Sequence, residues 1–350
     1  MRLIEVSGLT KAYATKQVLR GIDLTVDAGE IVGILGPNGA GKTTAVECIG
    51  GLRTRDGGTI TVAGVDPATE PPGFRELLGM QLQQCRLPAK ITTAEALELF
   101  GSFYPDPVPT NELLDRFGLT AQAATRFEKL SGGQQQRLSV ALALVGRPRI
   151  AILDELTTGL DPAARREIWE YLRDLKAAGT TMLLVTHSME EAQFLCDRVV
   201  IIDDGLVVAE GNPSELAATT VQQQTSFEAA PAAPDAPADP NHPNQPNDSQ
   251  AVERLLALLR ALPGVHTARL VEGRLVVDGD ADSPQTILSA LLKEGIRPHR
   301  LRVTQPTLDD AYLRITQERR ITQERRITQE RRITQEHRIT QEHRITQEHR

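Results

Sequence analysis

Up to about residue 215, short apolar runs alternate with segments of helical period. Ile31-Val32-Gly33-Ile34-Leu35 is apolar throughout, and Arg149–Leu153 and Thr181–Val185 are nearly so, the pattern of strands buried on both faces. Before and between them, Leu3–Leu9 and Gly21–Val26 read as strands, and Gly57–Val62 followed by Gly64 reads as a hairpin. Helical spacing marks Thr43–Ile49, a short Phe74–Gly79, two segments between Thr92 and Phe127, Leu138–Val145, a stretch from Pro162 to about Ala178, and Met189–Cys196. Arg198–Ile202 and Leu206–Ala209 form a last hairpin around Asp203-Asp204-Gly205. The alternation predicts an α/β core with an antiparallel sheet before it and a small helical insert within it.

Past residue 220 the texture changes. Gln222–Gln250 is rich in Gln, Ala, Pro, Asp and Asn and nearly bare of large apolar residues, which predicts a disordered linker over 221–250. Beyond it, Val252–Leu262 and Gln285–Leu292 read as helices and Val265–Leu270, Arg274–Val277 and Leu301–Val303 as strands, a small α+β domain over 251–314. A domain of that size is marginal alone, and Val252, Leu255, Leu256, Leu258, Leu259 and Leu262 give it more apolar helix face than it readily hides. Ile315–Arg350 repeats ITQERR three times and ITQEHR three times. A six-residue period turns each Ile by about 240° on a helix, so no apolar stripe forms and 315–350 is expected to be a solvated tail.

Charge and composition narrow the function classes. The 350 residues are 40% hydrophobic and carry a net charge of −7, which allows more than one domain and argues against a nucleic-acid binder. Three well-separated cysteines, Cys48, Cys85 and Cys196, suggest neither a disulfide framework nor a Cys-pair metal site, as in a reducing cytosol. Met1–Glu5 leads straight into a strand without a signal peptide, and no apolar run approaches the roughly 20 residues that span a bilayer. Any membrane role is therefore expected to come through a partner.

The chemistry concentrates after the first buried strand. Gly36-Pro37-Asn38-Gly39-Ala40-Gly41-Lys42-Thr43-Thr44 fits G-x-x-x-x-G-K-[ST], between a buried strand and a helix as that motif requires. Glycines let backbone N–H groups wrap an anion, the helix start adds partial positive charge, Lys42 reaches β- and γ-phosphates, and the Thr43 hydroxyl serves Mg²⁺. Ser131-Gly132-Gly133-Gln134 is a second glycine-rich helix start, with Ser131 as its N-cap. Asp154-Glu155 and His187 follow buried strands, where open α/β sheets place their ligands. Tyr13 offers either an adenine-stacking face or a half-buried strand end.

At Leu130-Ser131-Gly132-Gly133-Gln134 the sequence resembles the ABC-type ATPases, whose signature is LSGGQ between a phosphate loop and an acidic strand end. The resemblance implies a P-loop NTPase fold over residues 1–220, with a RecA-like core, an antiparallel β-subdomain and a helical insert. It implies ATP and Mg²⁺ as cofactors, with Gly36 to Thr44 on the phosphates and Tyr13 stacking on adenine. Asp154, Thr43 and Gln83 then attend the metal, Glu155 polarises the attacking water, His187 is the switch histidine, and Asp161 belongs to the D-loop. One signature and one phosphate loop per chain imply a homodimer, with Ser131, Gly132, Gly133 and Gln134 completing the site of the other copy. Adjacent carboxylates suit this division of labour, because successive side chains at a strand end point different ways. Leu156 departs from the family, where many members have Pro.

Leu153 to Pro162 together with Gln305-Pro306-Thr307-Leu308-Asp309-Asp310-Ala311-Tyr312-Leu313 is similar to ATP-binding subunits of daunorubicin-resistance exporters. That implies a separate transmembrane permease, a place on the cytoplasmic face of the membrane, and no nucleic-acid partner. The alternative is a soluble ABC-class ATPase in DNA repair or translation. Such relatives carry long insertions or two ATPase domains, and Gln83 to Leu130 leaves room only for a short helical insert.

Overall fold

The computed structural model describes residues 1–69, 71, 73–82, 86–220, 223–231, 249–305, 307–317 and 319. The chain divides into two compact units, Met1–Pro213 and Ser214–Arg350.

The first unit opens with β1 (Arg2–Tyr13) and β2 (Lys16–Asp27), then β3 (Ile31–Leu35), α1 (Lys42–Ile49) and β4 (Gly57–Val62). There follow α2 (Phe74–Leu77), β5 (Leu78–Gln81), the insert helices α3 (Thr93–Gly101) and α4 (Thr110–Arg116), and α5 (Gly132–Leu144). The unit closes with β6 (Ile150–Asp154), α6 (Pro162–Ala177), β7 (Thr181–Val185), α7 (Met189–Leu195), β8 (Arg198–Asp203) and β9 (Leu206–Gly211). Two sheets result: an antiparallel β2-β1-β4, and a β5-β6-β7-β3-β8-β9 sheet that is parallel except for β9.

Every residue of β3, β6 and β7 is buried, as their apolar spelling requires of parallel strands covered on both faces. Register aligns their carboxyl ends: Val185 of β7 lies level with both Ile34 of β3 and Asp154 of β6. Side chains of both sheets and α1, among them Val6, Val46, Ile49, Ile152 and Leu183, pack into one core. Each such burial stabilises by about 1.5–3 kcal/mol, so the strand ends carrying the polar residues are fixed rigidly. Gly205 N–H donates to the Ala40 carbonyl at 3.1 Å, tying the β8–β9 turn to the loop after β3.

Two local expectations hold only in part. Phe74–Gly79 is helical only to Leu77; Leu78–Gln81 is recruited as an edge strand by the free side of β6, with Leu78 opposite Ile150 and Gln81 opposite Leu153. Gly57–Val62 turns back on itself only at one bridge, Val62 with Val65, and along its length pairs instead with β1, Val62 opposite Ile4 and Ile60 opposite Val6. In both cases a long-range partner offered more backbone hydrogen bonds than the local turn.

In the second unit α8 (Pro213–Thr220) begins at the boundary and is followed by β10 (Gln223–Pro231), α9 (Ser249–Arg260), β11 (Val265–Val271), β12 (Arg274–Gly279), α10 (Ser283–Lys293) and β13 (Ile296–Thr304). The antiparallel order β11-β12-β10-β13 is that of a split βαβ, ferredoxin-like sheet. Residues 223–231, expected within the disordered linker, are therefore a central strand. Its neighbours on both sides satisfy the backbone, so two inward side chains, Thr225 and Phe227, both fully buried, suffice where the composition looked too polar. Residues 221, 222 and 232–248 of that expected linker lie outside the described residues, while Ser249 and Gln250 open α9. Leu256, Leu259, Ile287 and Leu291 of the two helices close over Phe227, Ala268, Leu275 and Val277, and Val252, Leu255 and Leu262 join them. The apolar face of α9 is thus largely used within the unit itself. On the strands, Asp278 takes Gln224 and Thr267, and Glu228 takes Arg300.

The first repeat does not begin as tail. Residues 308–317 are helical, Thr316 is buried, and its hydroxyl donates to the Tyr312 carbonyl at 2.8 Å. Residues 318 and 320–350 lie outside the described residues.

Because the two units have separate cores, Phe227→Ala should destabilise the second by about 3–5 kcal/mol without weakening nucleotide binding by the first. Calorimetry would show one transition moving down, and a nucleotide titration would show unchanged affinity. A single transition moving together with lost affinity contradicts separate cores.

Candidate nucleotide-binding and catalytic site

The loop after β3 is shaped by close approach. Gly36 has φ 155°, and a Cβ there would lie 2.0 Å from the Ile202 carbonyl oxygen; Gly41, at φ 103°, would drive a Cβ to 2.7 Å from Leu19 Cδ2. Only glycine fits either position. Gly41 is also the N-cap of α1 and has no side chain to cap it, so the first N–H groups of the helix face the loop's hollow with their partial positive charge.

Lys42 is 7% exposed, and its Nζ donates to the carbonyls of Gly36 at 2.8 Å and Pro37 at 3.1 Å. Burial lowers its ammonium below the usual lysine range, opposed by the nearby Glu155 and Asp154 carboxylates. A buried cation folded onto its own loop beside uncapped helix N–H groups is a site that gains by receiving an anion.

Opposite it, at the end of β6, Asp154 is 1% exposed and accepts from the Thr43 hydroxyl at 2.9 Å. Burial raises its carboxyl above the ordinary aspartate range, Thr43 pulling it back and Glu155 pushing it further up. Glu155 follows with φ 54°, a left-handed conformation that costs on the order of 1–3 kcal/mol outside glycine. Its N–H donates to the Val185 carbonyl at 2.8 Å and its carbonyl accepts from Gln136 Nε2 at 3.0 Å, which holds the turn. The turn brings Glu155 Oε1 to 3.4 Å from Nδ1 of His187, which follows β7. Lys42, Thr43, Asp154, Glu155 and His187, spread over the sequence, are thus one cluster at the carboxyl ends of β3, β6 and β7.

Other expected residues sit elsewhere or work locally. Ser131 caps α5: its Oγ accepts from Gln134 N–H at 3.3 Å while Gln134 Oε1 accepts from Ser131 N–H at 2.9 Å. Gly133 leaves room for Gly159, whose carbonyl oxygen would stand 3.2 Å from a Cβ there. Among the described residues no hydrogen bond joins 131–134 to 36–44. Asp161 is the N-cap of α6, accepting from Ala164 N–H at 3.0 Å and Ala163 N–H at 3.1 Å, bonds that hold its carboxyl below the usual range. Tyr13 ends β1 with 39% of its surface exposed and the Arg53 guanidinium 5.2 Å from its ring centre. Gln83 lies outside the described residues. The sequence reading missed Gln136, the last Gln of its run, and Glu191, a fully buried acid on α7. Nothing in the spelling of either marks a buried hydrogen bond.

Thr43 and Asp154 provide two hard oxygens on one side of the loop, and among the described residues no larger group of His, Cys, Asp and Glu forms a metal cage. That donor set suits Mg²⁺, which keeps waters and binds through one or two protein oxygens together with phosphates.

Residues 19–158 match the ABC transporter family. The chain is 34% identical to the daunorubicin resistance ATP-binding protein DrrA2 of Streptomyces coeruleorubidus, over 90% of this chain and 95% of that protein. It is 31% identical to the linearmycin resistance ATP-binding protein LnrL of Bacillus subtilis over 90% of this chain and 98% of that one, and 44% identical to a Nod factor export ATP-binding protein of Rhizobium meliloti over 61% and 65%. Among solved structures it is similar to an ATP-binding subunit of an ABC transporter, with 31% identity and a TM-score of 0.57 over 62% of this chain and 92% of that one. A dimeric ATP-binding cassette in a post-hydrolysis state, bound to ADP and Pi, gives 29% identity and a TM-score of 0.56 over 60% and 98%.

The raised Asp154 carboxyl carries a stability consequence. The native protein takes up that proton at higher pH than the unfolded chain, so stability falls as pH rises between the two values and the cost persists above them. Asp154→Asn keeps an acceptor for Thr43 and removes the buried charge. It should raise the melting temperature of the ligand-free protein at neutral pH, by about 2–4 °C for each kcal/mol relieved. The gain should shrink in thermal melts at acid pH, and a variant melting below wild type at neutral pH would refute the burial cost.

Proposed function

Since this chain belongs to the ABC transporter ATP-binding proteins and is an ATPase, we propose that it powers the export of a drug- or antibiotic-like compound as the energy-coupling subunit of a membrane complex. The observation that carries the export reading is extent. Similarity to the DrrA2 and LnrL resistance proteins runs over 90% of the chain, so it includes the second unit and not only the ATPase unit. In this reading the membrane passage belongs to a separate permease and this chain sits at its cytoplasmic face, and that among the described residues no helix is long and apolar enough to cross a membrane is consistent with such a division.

Each residue of the cluster has a task in this reading. Lys42 and the loop N–H groups from Gly36 to Thr44 hold the phosphates, and Thr43 and Asp154 hold Mg²⁺, which when bound neutralises charge on the β- and γ-phosphates. Glu155 orients and polarises the water that attacks the γ-phosphorus as the bond to the bridging oxygen of ADP breaks, and His187, 3.4 Å from Glu155, contacts the γ-phosphate side. Tyr13 stacks on the base, and Gln83 senses the metal at the joint with the helical insert. Two copies close on two ATP, each presenting Ser131, Gly133 and the Asp161 loop to the other's phosphate loop. The separation of 131–134 from 36–44 in hydrogen bonding supports that arrangement, and dimeric cassettes exist among the similar structures.

Glu155→Gln should keep ATP affinity within about threefold while lowering turnover at least 100-fold, and should sediment as a dimer when ATP is added. Lys42→Ala should lose ATP binding instead. Wild-type turnover in Glu155→Gln removes that carboxylate from the chemistry. ATPase stimulation by DNA or ribosomes, with no recovery in the membrane fraction when the permease is co-expressed, would favour the soluble alternative.

A further inference from the structure

Behind the catalytic cluster lies a carboxylate that no step above uses. Glu191, in the first turn of α7, is completely buried. Its Oε1 accepts from the Thr157 hydroxyl at 2.7 Å and from the Trp169 indole N–H at 3.0 Å, while its Oε2, equally buried, has no hydrogen-bond partner among the described residues. A carboxylate in that state is a poor stabiliser, because desolvating an oxygen without a partner costs more than the two bonds return. Its position suggests what it does instead.

The three elements it joins are the ones that place the reactive groups. Thr157 stands two residues after Glu155, in a turn where Thr158 N–H donates to the Glu155 carbonyl and Leu160 N–H to the Thr157 carbonyl. Trp169 is on α6, whose N-cap is Asp161, and Trp169 is itself wedged against Phe194 of α7 at 5.2 Å between ring centres. Glu191 sits four residues beyond His187, on a helix capped by Ser188. One carboxylate oxygen therefore fixes the loop of Glu155 and Asp161 relative to the helix that follows His187. Such a fixing is needed because Glu155 holds a left-handed backbone that its own preferences would relax.

We infer that Glu191 is a positioning residue for hydrolysis, using the hydrogen bonds from Thr157 and Trp169 to keep the Glu155 carboxylate and His187 in register. This rests on the role proposed for Glu155. The bond to Thr157 orients the turn, and the bond to Trp169 keeps the carboxylate from rotating away when the loop is loaded. Acceptor capacity is what matters, so an amide oxygen in the same place can do the work.

The isosteric Thr157→Val, which removes only the hydroxyl, and Glu191→Leu should each lower kcat for ATP about 10–100-fold with KM unchanged. Glu191→Gln should return kcat to within a few-fold of wild type. Trp169 is the chain's only tryptophan, so its fluorescence reads the junction directly: the spectrum should hold in Glu191→Gln and change in Glu191→Leu. In a Glu155→Gln background, Thr157→Val should add no further loss, because its effect passes through Glu155. Equal fold losses in both backgrounds, or raised KM together with lower melting temperature and no loss specific to kcat, would make Glu191 a packing residue and overturn the inference. Full turnover in Thr157→Val beside an inactive Glu155→Gln would also overturn it, while leaving Glu155 in place. Full turnover in Glu155→Gln alone would instead overturn the assignment of Glu155.

Discussion

A lysine at the start of α1 and an aspartate at the end of β6, both held out of water, set the terms for the rest of the first unit. Lys42 and Asp154 each lose hydration, and each is left with partners that only partly replace it: two loop carbonyls for one, a threonine hydroxyl for the other. Both titrations are displaced toward the neutral form by burial. A fold can hold such groups in place only if the surrounding frame cannot yield, and the fully buried β3, β6 and β7 with aligned carboxyl ends are that frame. In the proposed role, that cost of burial is recovered when the triphosphate arrives, so affinity is built from apo-state discomfort as much as from contacts.

The legibility of this unit in its sequence follows from how local each signal is. A phosphate loop is spelled by nine consecutive residues, and its geometry needs only the strand before and the helix after, so Gly36 to Thr44 could be read directly. The capping by Ser131 and Asp161 is equally local. Clustering of Asp154, Glu155 and His187 was legible through the run of buried strands that precede them. Edge strand β5 was not, because Leu78–Gln81 becomes a strand only by leaning on Ile150–Leu153, some seventy residues away. Glu191 was invisible for the same reason: a Glu in the first turn of a helix reads as a solvated dipole partner, and only Thr157 and Trp169, both distant in sequence, make it a buried acceptor.

The second unit shows the same limit more sharply. Composition is a fair guide when a segment must provide its own burial, and Gln223–Pro231 offers one large apolar side chain. Inserted between two strands that satisfy both edges, it needs little more than Phe227. Disorder was the wrong inference from a correct observation about polarity, since the partners and not the strand supply most of the apolar cover.

That central position of β10 has a consequence in time. Gln224 pairs with Asp278 on one side and Thr304 on the other, so the first strand of this sheet to leave the ribosome is the last to have both neighbours. The preceding unit has all its strands once β9 is made, and can settle around its nucleotide while synthesis continues. Until β13 emerges, β10 can pair with β12 along one edge only, and its polarity, poor as a signal of structure, is what keeps the open edge from seeking a stranger's strand.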